Sequence, residues 1–526
     1  MLAGYTPQDE IGYEQSAPRP LLGVGERKHV SFHSLRLGRH RLRTIGTPAC
    51  IGLAITLIGS CATHKAPARS AGAGSGFRYE VAAGPGAREL TVDAEFAKGA
   101  SDDLTLDDAT APFVRDVQFA TDDSWNAAEK AVHGWKMHGC ADNGCRVRYR
   151  FNLAEAAAAL GGPGEAEGNG ASLEAPPSSW LVHPMTPASG APFRFRVTTP
   201  PGLDFVSGSW PLAGSDGTYQ GDVFDLNSSP YAAFGPLHPR PLEGTPVILA
   251  IARATQAAAA TTSSVRDEQI VAWAANAARA VTLFYGRFPV PRVALIVSTA
   301  LGARIDDGMT MGGGGAAIVI EVGESTRQRA FDEDWELTHE MVHTALPSLH
   351  RDYHWLEEGI ATYVEPIARA RAGIITPEEA WGGMIKGMPQ GQPETGDRGL
   401  DGTHSWGRTY WGGAMFCLLA DVAIRERTHN TRSLDDALRG ILAAGGNISV
   451  EWSIERVLSV GDDAVGVPVL RELHDRMGGV GVREDLDGLF ARLGVHAGQD
   501  DATFDDDAPL AAIRRAITAR PATPAP

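Results

Sequence analysis

The chain has 526 residues; at roughly 150 residues per domain this calls for about three domains and excludes a single small binding module. Hydrophobic residues at 43% and charged residues at 21% describe a folded protein and exclude a wholly disordered, collagen-like or polytopic membrane chain. A net charge of −17 excludes nucleic acid as the main partner, because a phosphate backbone is bound by a basic footprint.

In chain order, Arg36, Arg39, Arg41 and Arg43 precede the apolar stretch Ile51 to Ile58, which runs into Gly59-Ser60-Cys61. A basic region, a short apolar region and small residues before a cleavage point are the parts of a secretory signal. The apolar stretch falls well short of the ~20 residues that span a membrane. Ile58-Gly59-Ser60-Cys61 resembles a bacterial lipobox, in which Cys61 would be lipidated and become the first mature residue; an ordinary secreted signal or a buried apolar strand reads the same residues. Residues 1–61 are therefore expected to be an extension plus lipoprotein signal, with a misplaced start codon or a long cytoplasmic extension ahead of it. Residues 1–60 hold seven of the 47 Lys/Arg and four of the 64 Asp/Glu, which leaves a mature net charge of −20. The expected location is the periplasmic side of a bacterial envelope, touching the membrane through a lipid rather than a transmembrane helix.

Residues 62–76 are small and rich in Gly and Pro, as in a flexible tether. From 77 to 253, short alternating segments such as Phe77–Val81, Phe193–Val197 and Pro246–Ile251 predict a β-rich domain. Cys140 and Cys145 flank a turn-forming Ala-Asp-Asn-Gly before the strand Arg146–Phe151, and an oxidising compartment favours their disulfide over two free thiols. Cys417, in an apolar run, reads as a buried small hydrophobe. The period then changes. Ser264 and Asp267 open a helix in which Ile270, Trp273, Ala277, Val281 and Phe284 recur at helical spacing until Gly286. Strands follow at Val293–Val297 and Ala316–Val322, the second after Gly312, Gly313, Gly314 and Gly315. From Thr376 helices dominate, ending in a Pro/Thr tail. The fold class is α+β and multidomain, with residues 254–430 as the middle domain and 431–526 as a helical end.

The chemistry lies in His339-Glu340-Met341-Val342-His343. On a helix, positions i and i+4 share a face about 6 Å apart along the axis, so both imidazoles reach one metal ion. Zinc suits this set, because its catalytic sites use three protein ligands and leave one position for water, with Glu340 placed as general base. A solvated helix face with two ordinary histidines would read the same. A third ligand, fifteen residues after His343, is offered by Glu358 in His354-Trp-Leu-Glu-Glu-Gly-Ile-Ala-Thr-Tyr363. The extended motif with a third His is excluded, because Leu346 and Leu349 stand at its Gly and His positions, which leaves His350 and His354 at the surface or behind the ligands.

Trp355-Leu-Glu-Glu-Gly-Ile-Ala resembles the Trp-Leu-Asn-Glu-Gly-Phe-Ala segment of gluzincin metallopeptidases related to aminopeptidase N and the glycyl aminopeptidases. The resemblance implies a thermolysin-like α/β zinc catalytic domain in which His339, His343 and Glu358 bind one zinc ion. Tyr410-Trp-Gly-Gly413 is similar to the family's Tyr-x-x-Gly, which implies that Tyr410 stabilises the oxyanion, although a core aromatic would fit there too. Trp406 and Trp411 either line the pocket or simply pack. The family's Gly-x-Met-Glu-Asn, whose Glu binds the substrate's free amine, is replaced by Met311-Gly-Gly-Gly-Gly-Ala-Ala317. Gly312 to Gly315 keep a close backbone approach to substrate possible, or make only a tight turn. The implied function is zinc-dependent hydrolysis of peptide bonds, aminopeptidase-like but with open exo-specificity. A retired peptidase-fold lipoprotein acting as a binding or scaffold protein, and hydrolysis of a non-peptide amide or ester, are the alternatives.

Overall fold

The computed structural model describes residues 76–520 except 163, 186–190, 216, 255–264 and 500. The signal, Cys61, residues 62–75 of the tether, Ser264 and the tail from 521 lie outside the described residues.

Strands β1 (Phe77–Ala83), β2 (Leu90–Phe96), β3 (Val114–Ala120), β4 (Cys145–Phe151), β5 (Pro192–Thr198) and β6 (Thr218–Asp222) build an eight-stranded sheet with two short edge strands, in the order Trp210–Pro211, β6, β5, β1, β2, β4, β3, Asn126–Ala127. Strict alternation decides which face is buried: Phe77, Tyr79 and Val81 of β1 point inward with Val92 and Ala94 of β2 and Val147 and Tyr149 of β4, while Arg78, Glu80 and Asp93 stay exposed. Pairing is antiparallel except between β1 and β5, which run parallel with Tyr79 opposite Phe195. Cys140 and Cys145 are bonded to each other across a four-residue helical turn, Cys140–Asn143, where a loop was expected. Cys417 is a buried free thiol.

The second unit is built on a five-stranded sheet in the order Arg240–Pro241, β7 (Val247–Ala252), β8 (Val293–Ala300), β10 (Ala317–Gly323), β9 (Ile305–Met311). β7, β8 and β10 are parallel, and β9 is the antiparallel edge. The domain boundary at 253 is thereby corrected: β7 pairs residue for residue with β8, from Val247 opposite Val293 to Ala252 opposite Ser298, so it belongs to this sheet and not to the β-rich domain. A continuous apolar strand is compatible with either sheet, and only its hydrogen bonds assign it. Helix α1 (Asp267–Tyr285) lays Ile270, Trp273, Ala277, Val281 and Phe284 into the core and ends at Gly286 with φ +77°. It starts with the Gln269 side chain accepting from the Arg266 N–H.

Four further helices complete the frame: α2 (Glu336–His343), α3 (His354–Ala372), α4 (Gly413–Arg427) and α5 (Leu434–Ala443). The division at 430 is not a division of the core, because one apolar cluster runs from Leu242 through α1, α3, α4 and α5 to Ile517. No helix among the described residues is long and apolar enough to cross a membrane.

Candidate metal centre

Helix α2 is short because Asp334 fixes its start and Thr344 its end. The Asp334 carboxylate accepts from the N–H groups of Glu336 and Leu337 and from Trp273 Nε1 at 2.8 Å, and burial raises its pKa to about 6. Leu337, Met341 and Val342 anchor α2 in the core, which turns His339 and His343 toward α3. Glu358, in the first turns of α3, meets them: its Oε2 lies 3.1 Å from His339 Nε2 and 3.5 Å from His343 Nε2. The three donor atoms fall within 4.8 Å of one another, the one such grouping among the described residues. Two imidazole nitrogens and a carboxylate oxygen, buried and convergent, match a zinc ligand set.

The other oxygen of Glu358 is held by His354 Nε2 at 3.2 Å, and His354 Nδ1 meets Glu357 at 3.1 Å. Glu357 also accepts from the Leu349 N–H, tying the shortened loop to α3. His354 thus orients the carboxylate from behind, a partner of the kind that fixes metal ligands. Burial opposes charge on Glu358, yet the facing imidazoles hold its carboxyl well below the usual range. For His343, burial opposes protonation, and the carboxylates overcome it, Glu358 foremost, raising the pKa to about 9.

Glu340 is buried on the same helix, and its Oε2 lies 2.7 Å from the Thr310 hydroxyl, which also reaches the Glu340 carbonyl oxygen at 2.8 Å. Thr310 comes from the edge strand β9. One residue pair earlier, the Gly308 N–H donates to Glu336 at 2.6 Å, and a Cβ on Gly308 would stand 3.0 Å from Glu340 Cγ. Burial, against the pull of that N–H, raises Glu336 to about 7, with Asp334, Glu340 and Asp306 adding to it. Tyr410 approaches from a single π-helical segment, Arg408–Gly412, the kind of widened turn found often at functional sites. Its ring stacks on His339 at 6.2 Å, and burial, then the charges of Glu358 and Glu340, push its phenol upward, so it stays a hydrogen-bond donor. Behind it the Arg408 guanidinium pairs with Asp397 at 2.9 Å, both buried, and donates to the Gly391 carbonyl.

The structure therefore brings together His339, Glu340, His343, Glu358 and Tyr410, and Gly312 to Gly315 follow directly on the strand that carries Thr310. The Gly313 and Gly314 N–H groups donate to the Ile448 and Ser449 carbonyls, and Gly314 accepts from the Trp210 N–H. A Cβ would strike Ile448 O from Gly312, Ser228 O from Gly313, Asp225 from Gly314 and Gly208 O from Gly315. These glycines close a seam between the β-rich unit and the five-stranded sheet. Thr310, Gly308 and Glu336, which do face Glu340, were missed; the signal for them was the short segment before the glycines, which reads poorly as a strand. Trp406 stacks on Tyr410 and is exposed, whereas Trp411 is half-buried and packs against the core.

No protein-family profile and no curated protein matches the chain. Solved structures do. The aminopeptidase N family protein from Idiomarina loihiensis matches with a TM-score of 0.57 at 12% identity, over 80% of this chain and 78% of that one. The M1 zinc metallopeptidase from Deinococcus radiodurans gives 0.45 at 15% identity, over 78% and 95%, and native yeast LTA4 hydrolase 0.47 at 10%, over 78% and 68%. At such identities the first likeness shows the fold: this chain is folded like an aminopeptidase N family protein.

Proposed function

We infer that the protein is a zinc-dependent metallopeptidase that hydrolyses peptide bonds at a thermolysin-like centre. The observation that carries this reading is the convergence of His339, His343 and Glu358 within 4.8 Å, with Glu340 on the same helix between the two histidines. Bound by those three side chains, zinc would supply Lewis acidity toward a substrate carbonyl and lower the pKa of water to roughly 7. The chain's own residues do the rest. Glu340, held by the Thr310 hydroxyl, takes the proton of the attacking water and returns it to the leaving amine. Tyr410, protonated and facing the same centre, donates to the oxyanion. His354 keeps the Glu358 carboxylate turned toward the two imidazoles. The reading extends to an envelope protein attached through a lipid on Cys61, acting on peptides with aminopeptidase-like preference.

The test is metal analysis together with a peptide library, each peptide offered with a free and an acetylated amino terminus. Wild type is expected to hold one zinc per chain. Glu340→Gln should keep that zinc and lose about 10²–10⁴-fold in turnover, the usual worth of a positioned general base. A protein without zinc overturns the reading; a zinc protein that leaves every peptide intact transfers it to a binding role or a non-peptide bond.

A further inference from the structure

Nine large hydrophobic side chains stand well exposed among the described residues, and two of them touch the metal centre. Trp335, 46% exposed, sets its ring edge-on to His339 at 5.5 Å. Trp406, 47% exposed, stacks on Tyr410 at 5.7 Å with the planes 26° apart. Since Tyr410 itself stacks on His339, four rings form one row, Trp335, His339, Tyr410, Trp406, with a metal donor inside it and an exposed indole at each end. Neither indole N–H has a hydrogen-bond partner among the described residues.

Exposure of this kind is costly. At about 25 cal/mol per Å² of apolar surface, two indoles left in water forfeit stabilisation that a fold normally collects by burying them. Isolated exposed apolar residues need no explanation, but two at the mouth of one reactive site, each braced against a ring of that site, form a surface with an occupant. A braced indole loses little rotamer entropy when something lands on it, presents a flat face, and offers one donor at its edge. That combination fits a planar apolar side chain carried by a peptide, whose carbonyl oxygens accept the indole N–H groups. A small methyl side chain would cover little of either face.

We propose that Trp335 and Trp406 are the specificity-determining residues of this site, binding the aromatic side chains that flank the bond to be cleaved. The inference rests on the peptidase reading for the word cleaved, but binding itself is measured separately. Calorimetric titration of the full-length zinc-loaded protein, in the Glu340→Gln background so that nothing is turned over, uses tetrapeptides that differ at one position: Phe, Ala or Lys. Phe is expected to bind tighter than Ala and Lys. Trp335→Ala and Trp406→Ala should each weaken the Phe peptide by about 10-fold, the worth of one aromatic contact, and leave the Ala peptide within about twofold. Trp406→Phe and Trp335→Phe, which keep a ring, should restore most of the loss.

Zinc content and sedimentation velocity accompany each variant. Equal weakening of the Phe and Ala peptides, or loss of zinc, makes the indoles structural and overturns the proposal. A preference for Lys makes the site a cation binder and overturns it as well. A change of oligomeric state in the Trp variants with unchanged Phe affinity assigns the surface to a second copy of the chain, again against the proposal. Selective Phe binding by a protein that hydrolyses no peptide upholds the aromatic subsite while removing the peptidase reading.

Discussion

Helices α3 and α4 cross where Gly359 meets Gly413, and this contact sets how far Glu358 lies from Tyr410. A Cβ on Gly359 would stand 2.3 Å from both the Cα and the carbonyl carbon of Gly413, and one on Gly413 would stand 2.1 Å from the Trp355 oxygen. Carbon atoms settle at about 3.5–4.0 Å, so Gly359→Ala forces the two backbones apart by roughly 1.2–1.7 Å. The cost of such overpacking is about 1–3 kcal/mol. It falls on the site directly, because Glu358 is the neighbouring residue on α3 and the segment carrying Tyr410 runs straight into α4. A misplacement of about 1 Å is worth on the order of 10²-fold in rate. Calorimetry should show a lower melting temperature, by about 2–4 °C per kcal/mol, and metal analysis and peptide hydrolysis should show weakened zinc retention and about a 10²-fold loss in kcat/KM. Gly383→Ala is the control: its Cβ has nothing within 4 Å, and it sits inside the helix Pro377–Gly387, where Ala is favoured. Wild-type melting and turnover in Gly359→Ala would refute the close crossing and with it the account of how Glu358 is placed.

Thr310→Val removes the hydroxyl that lies 2.7 Å from Glu340 while keeping its shape, and should lower kcat by about 10–100-fold with zinc content unchanged, the worth of one hydrogen bond to a charged group. Asp435→Ala takes the carboxylate from the buried Arg371 guanidinium, which keeps the Ile517 carbonyl and the face of the Phe284 ring, and should cost about 3–5 kcal/mol in denaturant unfolding. Glu174 is buried beside Ser298, whose hydroxyl donates to it at 2.6 Å, and burial raises its pKa to about 7, with Glu167 adding to the effect. Between its unfolded value of 4.5 and about 7 the folded state therefore binds more protons than the unfolded one, so stability falls as pH rises through that window, by about 3 kcal/mol in all. Glu174→Gln should flatten that slope, melting higher than wild type at pH 8 and no higher at pH 4.5; identical melting curves for the two proteins across the range would count against it.

The zinc motif was legible because its geometry is local: a spacing of four on a helix aligns two imidazoles whatever the rest of the chain does, and α2 needed only Asp334 and three apolar residues to hold it. The alternating strands of the first sheet were legible for the same reason. Strand β9 was not. Ile305-Asp-Asp-Gly-Met-Thr-Met311 has no alternation and three residues that disfavour strands, and it is extended because Ile305 and Asp306, and then Met309, Thr310 and Met311, pair with β10 on either side of a register shift in which Asp307 takes φ +57°. A bulge of that kind is bought by the neighbouring strand and helix, which no local pattern encodes. The same blindness misplaced β7, whose apolar run has no mark of the sheet it joins, and it left Gly308 unread, since Gly312 to Gly315 and Gly308 look alike in sequence while one set closes a seam and the other touches Glu336.

Glycine, plentiful in this chain at 61 residues, is therefore a means of bringing backbones close and not only a loop former. Three contacts around the candidate site depend on a missing Cβ. Gly308 lets β9 approach Glu336 and Glu340, Gly359 and Gly413 let α3 reach α4, and a Cβ on Gly391 would stand 2.3 Å from the Gly412 nitrogen, beside Tyr410. These contacts join segments that are distant in sequence, and at Gly359, Gly413 and Gly391 the opposing atoms are backbone, which cannot give way by changing rotamer, whereas Gly308 faces the side chains of Glu336 and Glu340. The separation between Glu358 and Tyr410 is thus fixed by backbone against backbone, a stiffer constraint than side-chain packing, where a methylene can be accommodated by adjustment. A site that gathers three donor atoms within 4.8 Å gains from that stiffness, and a larger residue at Gly359 or Gly413 converts directly into displacement of Glu358 or Tyr410.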